Sequence, residues 1–177
     1  MSCANQTLSG IGVPCEGSLG GIVEVYITPW SDGLYTYDTS SASTGEVTAV
    51  NTGVTWYVYH FRKNSSSMSQ TRTIDAANGV NFVTTTVNLI FSRMETSKRI
   101  EMNAMSLADM AVIVRDANGK YTALGMNEPV NCNAGTGETG TARTDGNRYS
   151  ITLEDNYQDF PPFLSDEAVA MIKTNED

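Results

Sequence analysis

Short runs of alternating apolar and polar residues, separated by turn-forming residues, constrain the fold of this chain most. A period of two puts successive side chains on opposite faces of a strand, so each run predicts a strand. GIVEVYIT at 21–28 is the cleanest run, with Val23, Val25 and Ile27 on one face. The longest run, VNFVTTTVNLIFSR at 80–93, pairs with 69–75 across the turn AANG. Further strands are predicted at 46–50, 55–63, 110–116, 120–126 and 148–155.

A helical period is found in one segment, 96–108, whose apolar residues roughly follow i, i+3 and i+4 spacing: Ile100, Ala104, Met105, Leu107 and Ala108. Thr96 or Ser97 can cap this helix. Strands that follow one another through hairpins form a mostly antiparallel sheet. The predicted fold is therefore mainly β, an antiparallel β-sandwich or partly closed barrel with one packed α-helix at about 96–108.

The chain has 177 residues, which suits a single domain with a sizeable core. Residues 1–20 are rich in Gly and Ser and are predicted to form an N-terminal arm or loop. The segment 30–45 is polar and is interpreted as a loop or exposed hairpin, with a turn at Asp32-Gly33. Residues 156–177 are predicted to form an acidic C-terminal extension of the domain 1–177.

The formal net charge of −9 argues against a nucleic-acid-binding surface built from basic patches, because such surfaces need clustered Lys and Arg. Seven acidic residues and one basic residue lie between Glu154 and Asp177. We interpret this bias as a solvated tail, a surface that repels a polyanion, or a surface for a basic partner. No apolar run is long enough for a membrane span and no secretory signal is evident, so the sequence predicts a protein made in the cytoplasm, without membrane insertion.

The sequence predicts no catalytic residue, no cofactor and no metal. The three cysteines, Cys3, Cys15 and Cys132, lack the spacing of a metal site or a disulfide framework. His60 is the sole histidine and has no nucleophile elbow to serve, so a core or interface role is favoured. The GTGETG run at 135–140 matches a dinucleotide-binding pattern literally, but turn-forming residues follow it, and we interpret it as a flexible loop.

The C-terminal run TDGNRYSITLEDNYQDFPPFL, 144–164, joins a turn, a strand, an acidic loop and a proline pair. The two prolines stiffen a segment predicted to leave the domain and to offer apolar anchors to a neighbouring subunit. Aromatic residues in the 30–45 loop are further contact candidates. Together the candidates for subunit contact are Phe160, Pro161, Pro162, Phe163, Leu164, Trp30, Tyr35 and Tyr37.

Two runs near the ends of the chain resemble the tail tube proteins of bacteriophages, especially those of phages and prophages of Bacteroidetes bacteria. One is CANQTLSGIGVPCEGSLGGIVEVYI at 3–27 and the other is DGNRYSITLEDNYQDFPPFL at 145–164. The order of elements between them, with a single helix after a long strand, is also similar. The resemblance is one of pattern, and the Ser/Thr-rich segment 36–45 and the glycine-rich segment 135–147 depart from it.

The resemblance implies a β-sandwich subunit that assembles into hexameric rings, which stack into a hollow tube for DNA delivery. The implied partners are further copies of this chain, other phage tail proteins, and double-stranded DNA that passes through the lumen without specific binding. The implied location is the virion tail, assembled in the cytoplasm of the host bacterium. Such subunits need strand edges and arms for neighbours, and 30–45 and the 69–93 hairpin are candidate arms.

Two other classes of function fit the same sequence. One is another virion component, such as a tail terminator, neck or head-decoration protein, or the tube of an injection system. The other is a carbohydrate- or ligand-binding β-sandwich that uses Trp30, Tyr35 and Tyr37 in one exposed loop.

Overall fold

The computed structural model describes residues 11–12, 17–37 and 45–174, and these contain ten strands and two helices. The first six strands are β1 (Ile22–Pro29), β2 (Tyr35–Tyr37), β3 (Val47–Val50), β4 (Tyr57–His60), β5 (Ser67–Asp75) and β6 (Val80–Ser92). They are followed by helix α1 (Thr96–Leu107), β7 (Met110–Asp116), β8 (Tyr121–Leu124), β9 (Asn131–Glu138), β10 (Arg148–Tyr157) and helix α2 (Asp166–Thr174).

Two four-stranded antiparallel sheets form the sandwich. The first sheet has the order β4-β1-β7-β8 and the second has the order β5-β6-β10-β9. Alternate residues of both sheets, such as Val25, Val112, Leu89 and Leu153, meet in a shared core in which they are fully or almost fully buried. Helix α1 packs on this core through Met105. These features confirm the predicted antiparallel β-sandwich with a packed helix.

The first sheet is buried on both faces. A second core lies on its outer side, where Tyr26 and Ile113 meet Leu34 and Val47 of the β2–β3 region and Ile172 of α2. A strand buried on both faces has no polar side, which explains why Met110–Val114 of β7 reads as a continuous apolar run. The second sheet has only its inner face in a core, and β6 accordingly alternates between buried and half-buried residues.

The long predicted strand is an interior strand of its own sheet. β6 pairs with β10 from Val83 to Ser92 and with β5 from Val80 to Asn88. Only the tip of the β5–β6 hairpin, around Asp75 and Val80, passes the end of β10. Most of this hairpin is therefore part of the sandwich and does not extend from it as an arm.

The predicted C-terminal extension folds back onto its own subunit, which corrects the expectation that it leaves the domain. The amide of Ala123 donates to the carbonyl of Pro162 (3.0 Å), and the amide of Leu164 donates to the carbonyl of Tyr121 (2.9 Å). On the other side, the amide of Val47 donates to the carbonyl of Phe163 (2.8 Å). The segment thereby bridges β8 and β3 by main-chain hydrogen bonds.

Helix α2 follows this bridge and was not predicted. Ser165 Oγ accepts a hydrogen bond from the amide of Ala168 (3.3 Å), in the manner of an N-cap. Asp166 and Glu167 lie in the first turn and Lys173 in the last, which complements the helix dipole. Acidic residues interpreted as a solvated tail therefore include the start of a helix whose Ala168 and Ile172 are buried.

Other differences concern segments that the sequence favours as loops. The glycine-rich segment forms β9 up to Glu138. In the segment 30–45, interpreted as a loop or exposed hairpin with a turn at Asp32-Gly33, Tyr35–Tyr37 pairs instead with Val47–Val50, which lies in the strand predicted at 46–50. The N-cap of α1 is Glu95, one residue before the predicted cap. Most of the predicted N-terminal arm, and residues 38–44 of the candidate loop arm, lie outside the described residues.

Candidate functional site

Two of the three aromatic candidates in the first loop hold the β2–β3 hairpin in place. The indole Nε1 of Trp30 donates to the carbonyl of Gly125 (3.0 Å), and the hydroxyl of Tyr35 donates to the carbonyl of Leu124 (3.0 Å). The Tyr35 ring lies 6.3 Å from that of Trp56, and burial raises the pKa of Tyr35 well above its usual value. Tyr37 is 39% exposed and faces solvent. The three residues therefore do not form one exposed aromatic loop.

The five C-terminal candidates divide in the same way. Pro161, Pro162 and Leu164 are buried within the subunit, whereas Phe160 and Phe163 are each about half exposed. The guanidinium of Arg72 lies over the Phe160 ring, 5.0 Å from its centroid. The candidates exposed to a neighbour are thus Tyr37, Phe160 and Phe163, and their contact with another subunit stays a prediction.

The histidine, cysteine and carboxylate side chains that could take part in catalysis or metal binding do not form one site. The His60 side chain is 74% exposed, so it is not a core residue, and its Nδ1 is 3.7 Å from Glu24 Oε1. Glu24 is held by Arg115, 2.9 Å away. Cys132 is half-buried, and burial raises the pKa of its thiol. Across the described ranges, no group of three His, Cys, Asp or Glu side chains could hold a metal ion.

The GTGETG run lies on edge strand β9 and in the turn after it. A phosphate-binding glycine loop needs a strand before it and a helix after it, and the next element here is strand β10. A Cβ atom at Gly137 would lie 2.9 Å from the ring of Tyr149. Close packing against this neighbour therefore accounts for that glycine without a ligand.

The most extensive solvated feature is the outer face of the second sheet, which we call the open face. Register places the same-face residues of β5, β6, β10 and β9 side by side, and none of them is in the buried class. Phe82 and Ile90 lie toward its two ends, Asp75, Glu138 and Arg148 are charged residues at the strand ends, and most of the remainder is small and polar. The polar residues of the open face are Ser67, Ser69, Thr71, Thr73, Thr84, Thr86, Asn88, Thr136, Ser150, Thr152 and Asn156.

Two pairs of side chains on the open face bind each other. Thr84 Oγ1 donates to Asn156 Oδ1 (2.8 Å), and Ser150 Oγ donates to Asn88 Oδ1 (2.9 Å). The charge near its centre is that of Glu154, which accepts a hydrogen bond from Asn133 (2.8 Å). The open face is therefore a mostly polar surface with few charged side chains.

Both edges of the second sheet are open. Among the described residues, β5 pairs only with β6, and β9 pairs only with β10. Strand edges offer a row of main-chain donors and acceptors, and Lys or Pro usually protects them from pairing. β9 contains neither residue, and the first five residues of β5, Ser67–Thr71, carry no charge.

Helix α1 presents an apolar stripe to solvent, formed by Ile100, Ala104 and Leu107. These positions are spaced i, i+4 and i+7 and share one side of the helix. Ile100 is 56% exposed and Leu107 is 91% exposed. Side chains of this size gain free energy when a partner covers them, about 25 cal/mol per Å² of apolar area.

Sequence reasoning missed the open face, although a signal for it is present. Ser and Thr recur at every second position of 67–73 and again at Thr84 and Thr86, which is the period of one strand face. The exposed stripe of α1 is not evident from the sequence. The spacing of apolar residues does not show whether that side of the helix is covered by its own subunit or left exposed.

No helix in the described part is both long and apolar enough to cross a membrane. Comparison with protein-family models, curated proteins and solved structures found no match to this chain.

Proposed function

We propose that this chain is a structural protein of a virion that assembles into stacked rings, hexameric as in the tail tubes it resembles, which form the tube for DNA delivery. The observation that carries the proposal is the second sheet, which combines two open edges with a mostly polar outer face of few charges. Open strand edges and a polar face suit the assembly of many copies.

The open edges support lateral contact between copies. If β5 of one copy lies beside β9 of the next, their main-chain groups can form hydrogen bonds and extend the sheet across the boundary. Because the two strands differ, the contact is heterologous, and repeated rotation in one direction closes into a ring. Helix α1 packs against β9, so a copy that docks at the β9 edge could also cover the apolar stripe.

The open face supports a lumen for DNA. A continuous sheet ring with this face inward would present mainly hydroxyl and amide groups, two pairs of which bind each other. A net charge of −9 and the carboxylate of Glu154 disfavour binding to phosphates. Duplex DNA would therefore pass along such a surface without being held by it.

Assembly of the purified chain at increasing concentration tests the proposal. Negative-stain electron microscopy is expected to show rings and tubes, and sedimentation is expected to show species larger than the monomer. A protein that stays monomeric at millimolar concentration and forms neither rings nor tubes contradicts it. In particles, many rings per tail fit a tube, whereas one or two rings indicate a terminator or neck component.

A second experiment addresses the edge itself. Ser69→Lys with Thr71→Lys places two charges on exposed positions of β5, and we expect loss of rings with little change in the melting temperature. Thr52→Lys with Thr55→Lys, at exposed positions before β4, is the matched control and should assemble normally. Equal assembly of both variants would show that β5 is not a lateral contact.

A further inference from the structure

Basic residues gather at one end of the sandwich although the protein is acidic. Arg62 and Lys63 lie in the turn after β4, Arg93 follows β6, and Arg148 begins β10, and these four line one surface pocket. Lys98 lines an adjoining pocket together with Arg62. We call these five residues the basic end. They are five of the eleven Lys and Arg residues in the chain.

The basic end has more cations than its carboxylates neutralise. Glu95 lies 3.2 Å from both Arg93 and Lys98, and Glu138 pairs with Arg148. The remaining carboxylate, Asp145, accepts hydrogen bonds from the amides of Thr141 and Ala142. Arg62 and Lys63 are exposed, and no carboxylate of the described residues lies within ion-pair distance of either.

The backbone at the basic end has an unusual conformation. Asn64 (φ 60°) and Arg93 (φ 67°) are left-handed without being glycine, and both line the same pocket. The amide of Arg93 donates to the carbonyl of Asn147 (2.6 Å), and the amide of Met94 donates to Asn147 Oδ1 (2.9 Å). Residues of this kind persist where surrounding contacts hold them and are concentrated at functional sites.

Acidic residues gather at the opposite end of the same strands. Asp75 is at the tip of the β5–β6 hairpin, Asp159 follows β10, Asp109 precedes β7, and Glu128 precedes Val130, whose main chain pairs with that of Met110. We call these four carboxylates the acidic end. Arg72 is the base among them and pairs with Asp159. The ten residues of β10 separate the two ends by roughly 30 Å.

Exposed apolar groups accompany the acidic end. Ile74 is 68% exposed beside Asp75, and Phe160 is 51% exposed beside Asp159. A partner on this end would cover apolar area as well as neutralise charge. Interfaces commonly combine such features, with apolar anchors inside a charged rim.

We propose that the basic end of one copy docks on the acidic end of another, so that copies join head to tail along the strand direction. This inference rests on the proposed self-assembly and specifies its axial contact. The two surfaces differ, so the contact repeats without closing and gives the stack a direction. Nucleic acid is disfavoured as the occupant, because three carboxylates lie within the basic end and the net charge is −9.

Charge reversal at each end tests the contact. The first variant is Arg62→Glu with Lys63→Glu, and the second is Asp109→Lys with Glu128→Lys. These four side chains are exposed, and no described side chain pairs with them, so circular dichroism and the melting temperature should change little. Each variant alone is expected to form rings but at least tenfold fewer stacks in negative-stain images, because like charges meet.

Complementation makes the test specific. A chain carrying all four reversals has complementary ends again and should form stacks as the wild type does. An equimolar mixture of the two variants should also stack, with alternating copies. The matched control, Asp166→Lys with Glu167→Lys, reverses two exposed carboxylates in the first turn of α2 and should leave stacking unchanged. Stacking of the wild type should weaken between about 50 mM and 500 mM salt, because screening shortens the range of the attraction.

The outcomes separate this inference from the proposed function. Absence of rings in the wild type overturns the tube proposal. Rings that stack equally well in the wild type and both variants overturn the axial contact alone. Binding of wild-type protein to a fluorescent DNA duplex, lost in the Arg62→Glu, Lys63→Glu variant, would assign the basic end to a polyanion and also overturn the proposed contact.

Discussion

Asp155 is a carboxylate buried in the interior of the molecule. It is 3% exposed, and its Oδ2 accepts a hydrogen bond from the amide of Gly125 (3.3 Å). Gly125 has φ +83°, and a Cβ there would lie 3.2 Å from Met110 O, so few other residues fit this position. Burial raises the pKa of Asp155 to about 6, with a smaller contribution from Glu128. A carboxyl group that is costly to ionise links stability to pH.

The variant Asp155→Asn is expected to be more stable than the wild type at pH 8. Because the folded pKa lies above the unfolded value, Asp155 favours folding most below pH 3.8, and this contribution is lost as pH rises to about 6. The shift corresponds to about 3 kcal/mol as an upper value. Urea unfolding should show that gain at pH 8 and less than about 1 kcal/mol at pH 4.

Asp109→Asn is the control for this measurement, since it removes an exposed carboxylate and should change stability similarly at both pH values. If Asp155→Asn is less stable than the wild type at pH 8, the hydrogen bond from Gly125 to a charged acceptor outweighs the cost of burial, and the expected sign is wrong.

At the scale of elements, the C-terminal segment and α2 are part of the fold. They cover the outer face of the first sheet, where Tyr26, Ile113 and Ala123 would otherwise contact water. Helix α1 differs, because a single residue, Met105, is buried in it. One helix is therefore required by the monomer, whereas the other keeps an exposed apolar side.

Paired isoleucine substitutions compare the two helices. Ile172 in α2 is 1% exposed and Ile100 in α1 is 56% exposed. Ile172→Ala should lower the free energy of unfolding by about 2–4 kcal/mol, through lost burial and a residual cavity. Ile100→Ala should change it by less than about 1 kcal/mol. Chemical denaturation of both variants measures the difference, and equal losses would show that α2 is not a core element.

At the scale of the whole molecule, the two sheets differ in how much of their surface is exposed. The first sheet is enclosed on both faces, while the second sheet keeps an open face and two open edges. Helix α1, which carries the apolar stripe, packs against β9 at one of those edges. The surfaces that we propose for assembly thus lie mainly on one half of the sandwich.

The double variant Ile100→Ser with Leu107→Ser tests the stripe. We expect at least a tenfold rise in the concentration needed to form rings, because the variant removes the apolar area that a neighbouring copy would cover. The stability of the monomer should change little, because both positions are exposed. Concentration-dependent light scattering measures assembly. Ser97→Ala with Ser106→Ala, on exposed positions of the same helix, is the control. Unchanged assembly of the Ile100, Leu107 variant would exclude the stripe from the contact.

The sequence by itself determined the strands. Apolar residues that alternate with polar ones, as in 21–28 and 80–93, come to lie on one buried face only when the segment is a strand. It also determined the position of α1 and the antiparallel order that short turns impose. The open face was encoded as well, in alternating Ser and Thr residues, although it was not recognised as a surface.

Only the tertiary structure decided which of the candidate contact residues are exposed and which are buried within the subunit. The local sequence pattern predicts that Phe160–Leu164 is stiff and apolar whether the segment is exposed or buried. It is the unpaired edges of β8 and β3 that draw Pro162, Phe163 and Leu164 into main-chain hydrogen bonds and bury Leu164. Likewise, charges scattered along the chain become two opposite ends only when strands bring Arg62, Arg93 and Arg148 together. Burial and proximity between distant residues depend on how the elements pack, and no local window of sequence contains that information.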